Sequence, residues 1–182
     1  RPIEVGVKFR SDSDGYIHGV RFYKGPQHTG PHVGSLWTIN GDLLAQATFT
    51  NETATGWQVV TFTAPVAIVA NTHYIASYYS PSGYFADTPN YFTSQSHSQA
   101  PLHAPAQGVV GPNGVYRYDS PGFPDLGSGY NYWVDVTFAT GSGPTAVTVS
   151  SLAARATAAL PIGALAAAVL AAAAVVALTR RR

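Results

Sequence analysis

Two stretches with apolar residues at every second position restrict this chain more than anything else in it. The first is Val5–Gly25, reading VGVKFRSDSDGYIHGVRFYKG. Val5, Val7 and Phe9 fall on one face, and Ile17, Val20 and Phe22 form a second apolar set. Between them Ser11-Asp12-Ser13-Asp14-Gly15 has turn chemistry: short side chains that bond nearby backbone, then a glycine. The second stretch, Asn131–Phe138, puts Val134, Val136 and Phe138 on one face and reads as the closing strand of the same domain. A period of two belongs to half-buried strands and is incompatible with an amphipathic helix.

The segments between repeat this pattern. Ser35–Ile39, Leu43–Thr50, Trp57–Thr63, His73–Ser80 and Val115–Tyr118 read as strands, with a short apolar segment at Pro65–Asn71. Asn40-Gly41 predicts a tight type I′ hairpin turn. In His73–Ser80, Tyr74 and Tyr78 share one face, Ile75 and Tyr79 the other. Residues 81–114 are irregular, and so long an insert in a compact domain is usually functional or mobile. Eight or nine short strands with no crossover helix predict an all-β fold, an antiparallel β-sandwich of jelly-roll type, over residues 1–140.

Charge separates this domain from the C-terminal part of the chain. Four of the ten basic residues, Arg155, Arg180, Arg181 and Arg182, lie in the tail, leaving six basic against nine acidic residues in 1–150, a net charge of −3. Nucleic acid as a partner is excluded on that ground, because it calls for clustered Lys and Arg on the binding face. There is no Cys, so disulfides and thiolate metal sites are excluded. Residues 141–155 form a small-residue linker. From Ala156 to Thr179 run 24 residues without a charge, followed by three Arg. About 20 apolar residues span a bilayer, and the basic end reads as cytoplasmic, so 156–182 predict a single C-terminal membrane anchor with the domain on the extracellular face. The chain opens at Arg1-Pro2 without an initiator Met and enters a strand at once, which suggests a fragment or a processed chain.

Several blocks carry a family resemblance: Val5-Gly6-Val7-Lys8-Phe9, Gly19-Val20-Arg21-Phe22-Tyr23-Lys24-Gly25, Gly34-Ser35-Leu36-Trp37, and Thr48-Phe49-Thr50-Asn51-Glu52-Thr53 followed by Gly56-Trp57-Gln58. They continue in Pro101-Leu102-His103-Ala104, Asn113-Gly114-Val115-Tyr116 and Asn131-Tyr132-Trp133-Val134-Asp135-Val136. In this order they resemble the DUF4082 family of bacterial extracytoplasmic modules, over about residues 3–138. The resemblance implies a β-sandwich, usually beside Ig-like modules in large exported proteins and sometimes beside carbohydrate-active domains, and it implies no established activity. The tail resembles a sortase-type sorting signal but reads Leu160-Pro161-Ile162-Gly163-Ala164, without the Thr that would form the acyl link, so retention as an anchor is the expectation.

Three sets of candidate site residues emerge. Aromatic side chains are abundant; Trp37, Tyr84, Tyr91 and Tyr116, with His103, are expected to bind a glycan or another cell-surface ligand. Core packing would use the same residue types, above all for Trp37, Trp57 and Trp133. His32 and His103, with Glu52, would hold a transition metal if the fold brings them together. Asp12 and Asp14 offer oxygens for a structural Ca²⁺, though without the rest of an EF-hand loop, and a turn with local backbone bonds is the simpler reading. No G-x-S-x-G, H-E-x-x-H or phosphate-cradling glycine loop is present. The expected function is therefore a non-catalytic surface-binding module, with a structural spacer and a metal-dependent or other hydrolase as alternatives.

Overall fold

The computed structural model describes residues 1–141; the expected linker and membrane anchor lie outside them. The described residues contain eleven strands and no helix, so none long and apolar enough to cross a membrane. They are β1 (Ile3–Ser11), β2 (Gly15–Lys24), β3 (Val33–Thr38), β4 (Leu43–Thr48), β5 (Gly56–Ile68), β6 (Tyr74–Ser80), β7 (His97–Gln99), β8 (Leu102–Ala104), β9 (Gly114–Tyr118), β10 (Leu126–Ser128) and β11 (Val134–Ala139). Every strand pairing is antiparallel. The larger sheet runs β10-β9-β1-β6-β3-β4, with β8 alongside the end of β1 and β7 beyond it; the smaller runs β11-β2-β5.

The alternation in the sequence faces one shared core. Val5, Val7 and Phe9 of β1 and Tyr78 of β6 come from the larger sheet; Ile17, Val20 and Phe22 of β2, Phe62 of β5 and Val134 and Val136 of β11 come from the smaller. β1 and β2, neighbours along the chain, are nevertheless not neighbours in a sheet. β1 pairs with β6, β8 and β9, and β2 with β5 and β11, so Ser11–Gly15 is a corner between sheets rather than a hairpin. Its polar groups bond elsewhere: Asp12 N–H donates to Pro101 O, Asn71 N–H donates to Ser11 O, and the Asp14 side chain accepts from Ala70 N–H through Oδ1.

Other local expectations shift for stated reasons. In the β3–β4 connection only Gly41 has a positive φ, 101°. A type I′ turn needs both central residues there; the pairing with β4 instead shifts register within β3, at Leu36/Trp37. Pro65 sits inside β5, tolerated because β5 is an edge strand. The irregular insert holds a hairpin of its own, β7–β8.

Gly19 marks a bulge in β2, where the register against β5 shifts between Ile17 and Gly19. A Cβ built there would lie 1.9 Å from Val60 O, and that oxygen is backbone. Gly19→Ala is expected to cost about 1–3 kcal/mol, the usual range for overpacking a core, read as a lower urea midpoint. An unchanged midpoint would show that the bulge relaxes freely.

On the outer face of the larger sheet Trp37, Ile75 and Val115 form a small second core with Phe123 and Ile39. Beneath it Glu4 is 1% exposed. Trp37 Nε1–H donates to Ser77 Oγ at 2.8 Å, and Ser77 Oγ–H donates to Glu4 Oε1 at 2.6 Å.

Candidate functional site

A cleft of about 590 Å³ is walled by the edge strand β11 and by the β7–β8 hairpin. Its aromatic lining includes Trp57 at the start of β5, Tyr91 from the insert and Trp133 just before β11. Its polar lining includes Arg21, Asp135, His97, Gln99 and Asn131. β5 explains why Trp57 faces out: Gln58, Val60 and Phe62 are buried, so Trp57, Val59, Thr61 and Thr63 point the other way. Trp57 is 42% exposed.

Trp133 is the strained member. Its φ is 51°, a left-handed conformation that is a true outlier for a bulky residue. Three hydrogen bonds hold it. Its N–H donates to Asn131 Oδ1 at 2.8 Å, its C=O accepts from Tyr23 N–H at 3.0 Å, and its Nε1–H donates to Thr88 Oγ1 at 3.1 Å. Asn131 is anchored in turn by reciprocal backbone bonds with Thr88. Strain of this kind persists only where the surroundings over-determine it, and it gathers at functional sites.

Tyr91 lies against Trp133, ring centroids 6.0 Å apart, and against His97. Arg21 and Asp135 are cross-strand partners. Arg21 grips Asp135 Oδ2 through Nε, at 2.9 Å, and through Nη2. The same guanidinium lies 4.8 Å from the Trp57 ring centroid. Aromatic faces therefore sit beside a planar charged pair with donors and acceptors in fixed positions. Aromatic faces of this kind offer stacking area, and the charged pair offers donors and acceptors beside it.

The residues singled out in the sequence distribute unevenly over this geometry. Tyr91 and His103 line the cleft. Tyr84 is 49% exposed and is not part of the lining. Tyr116 is half-buried on β9, packed against Tyr118 and Tyr132. Trp37 requires correction: it is 6% exposed, with its indole N–H spent on Ser77, because β3 lies inside the larger sheet and that face is covered by Phe123.

The metal expectations are corrected as well. Among the described residues no three His, Asp or Glu side chains converge on a point that would hold a metal ion. His32, fully buried, sets Nδ1 2.8 Å from Glu52, whose carboxylate also takes Lys24 Nζ at 2.7 Å. Burial holds His32 below its usual pKa, outweighing Glu52. Burial alone would raise Glu52, but the hydrogen bonds from Lys24 and His32 leave its pKa lowered. The trio ties the loop before β3 and the loop after β4 to the end of β2. His103 belongs to a different cluster, with Nδ1 2.8 Å from Ser98 Oγ and Nε2 2.5 Å from Asp12 Oδ2. Asp12 also takes Arg10, and the bonds from Arg10 and His103 hold its carboxyl below the usual range. Asp14 turns away to Ala70. Ser98, His103 and Asp12 form a hydrogen-bonded series, but His97 and Gln99, not Ser98, line the cleft. We read the series as the clasp that fastens the hairpin to the β1–β2 corner.

Arg21, Asp135 and Asn131 carry no signal of their own in the sequence. Trp57 does: its strand-mates at two-residue spacing are Val59, Thr61 and Thr63, a face too polar for a core.

A search of curated proteins finds no match to this chain. A family model, described as Domain of unknown function (DUF4082), matches residues 1–134, from the start of the chain to the first residue of β11. That span takes in ten of the eleven strands and Trp57, Tyr91 and Trp133 of the cleft, and the chain belongs to the DUF4082 family.

Proposed function

We propose that the domain is a non-catalytic binding module for a glycan, read by the cleft of Trp57, Tyr91 and Trp133. The observation that carries this is Trp133, held at a positive φ by three hydrogen bonds so that its indole forms the cleft wall beside Tyr91. Arg21, Asp135, Gln99 and Asn131 supply the hydroxyl partners. Two sheets closing on one core support reading the fold as an antiparallel β-sandwich of jelly-roll type. Display outside the cell on a C-terminal helix rests on the uncharged run Ala156–Thr179 and the three Arg after it.

Glycan-array screening of the full chain, followed by calorimetry on the best ligand, tests the reading. Trp133→Ala is expected to weaken binding at least about tenfold, or 1.4 kcal/mol, as truncating a Trp at the centre of a binding surface does. Tyr84→Ala, outside the cleft, should leave it unchanged. A blank array would favour a spacer role, and equal binding by the two variants would place the site elsewhere.

A further inference from the structure

Trp57 and Trp133 also line a second, smaller hollow of about 330 Å³, together with Tyr23 and Ala86. We propose that this hollow binds a methylated ammonium group of the choline class. The arrangement of its walls is the first argument. The rings of Tyr23 and Trp57 meet at 85°, with centroids 5.8 Å apart, and Trp133 adds a third aromatic wall. A sugar lies flat on one aromatic face. Faces meeting at a right angle suit a rounded group that touches several rings at once, which is how aromatic cages hold quaternary ammonium.

Polarity and charge point the same way. Three of the four lining residues are aromatic and the fourth is Ala86. A bare ammonium would lose its water there with no oxygen cage to replace it, whereas a methylated one is weakly hydrated and presents C–H groups. The Trp57 ring already attracts a cation, the Arg21 guanidinium at 4.8 Å. Asp135 neutralises that guanidinium through two hydrogen bonds, so a second cation meets no uncompensated positive charge. The walls are also set before any ligand arrives. Tyr23 N–H donates to Trp133 O, and Thr88 holds the Trp133 indole. Tyr23 and Trp57 are 43% and 42% exposed, so a ligand can reach them.

The hollow shares Trp57 and Trp133 with the glycan cleft, but its probe is different, so either reading can fail alone. The full chain is titrated with choline and, in parallel, with 3,3-dimethyl-1-butanol, the uncharged carbon isostere, following tryptophan fluorescence and heat. Saturable choline binding, with the isostere at least tenfold weaker, is the expected result. Trp57→Ala should abolish it and Trp57→Phe should keep a measurable part, each at the urea midpoint of the unsubstituted chain, which separates a lost ring from a lost fold. Equal binding of choline and isostere, or no saturation by choline, overturns the proposal. Pelleting with phosphatidylcholine vesicles that excess choline reverses would support the site with a lipid headgroup as the source. Choline binding without such pelleting would support it with a soluble or polymer-borne choline.

Discussion

Phe22→Ala is expected to lower the stability of the domain by about 3–5 kcal/mol, the range for truncating a buried Phe. Phe22 sits on the central strand of the smaller sheet and is 0% exposed. Its ring stacks on Tyr78 of the larger sheet with centroids 4.1 Å apart, meets Phe49 edge-on at 4.9 Å and packs on His32 at 4.8 Å. It therefore joins both sheets and the Lys24–Glu52–His32 trio at one point, and little around it can collapse into the space left behind. A domain of ordinary stability has about 5–15 kcal/mol in total, so the variant should approach the unfolding threshold. The check is a urea midpoint shifted at constant slope. Val59→Ala, at a site 54% exposed, should change little. A loss below about 1 kcal/mol for Phe22→Ala would mean that the two sheets do not share this core.

The second large effect depends on pH. Glu4 is buried on the outer face of β1, and burial pushes its pKa up to about 7, against the hydrogen bonds from Ser77 and Gly122, which lower it. The unfolded value is 4.5. Between these values the folded chain holds a proton that the unfolded chain has lost. Stability from this group is therefore complete below pH 4.5, declines as pH rises through 7, and stays reduced above it. The deficit at pH 8 is about 3 kcal/mol, at about 1.4 kcal/mol per pKa unit. Glu4→Gln keeps the acceptor for Ser77 and removes the titration. It should match wild type near pH 4.5 and exceed it by up to about 3 kcal/mol at pH 8, measured as the difference between urea curves. Burial also lowers His28, His32 and His73, and these groups favour the fold as pH rises toward 6.5. Their contribution is common to both proteins and cancels in the difference. The same gap at pH 4.5 and pH 8 would show that Glu4 does not titrate between them.

Much of the fold is legible in the chain because strand alternation is a local property. Val5, Val7 and Phe9, and Tyr74 and Tyr78 against Ile75, face as their spacing requires. The candidate site is less legible. Trp37 and Trp57 are both strand tryptophans, but one lies under Phe123 and the other opens to the cleft. The histidines expected to share a metal are divided between Glu52 and Asp12 because His32 lies by the end of β2, where Lys24 bonds Glu52, whereas His103 on β8 lies by the β1–β2 corner.

The sequence by itself determined an antiparallel all-β domain, its strand faces, its lack of thiol chemistry and its separation from a basic, apolar tail. These come from period, turn chemistry and composition, which are properties of neighbouring residues. Only the tertiary structure decided that β1 and β2 part into different sheets, that Glu4 is buried, and that Arg21, Trp57, Tyr91, Trp133 and Asp135 line one cleft. Those outcomes turn on which distant strands pair and what covers each face. The free energy of such contacts is shared between segments far apart in the chain, and no local stretch of it encodes them.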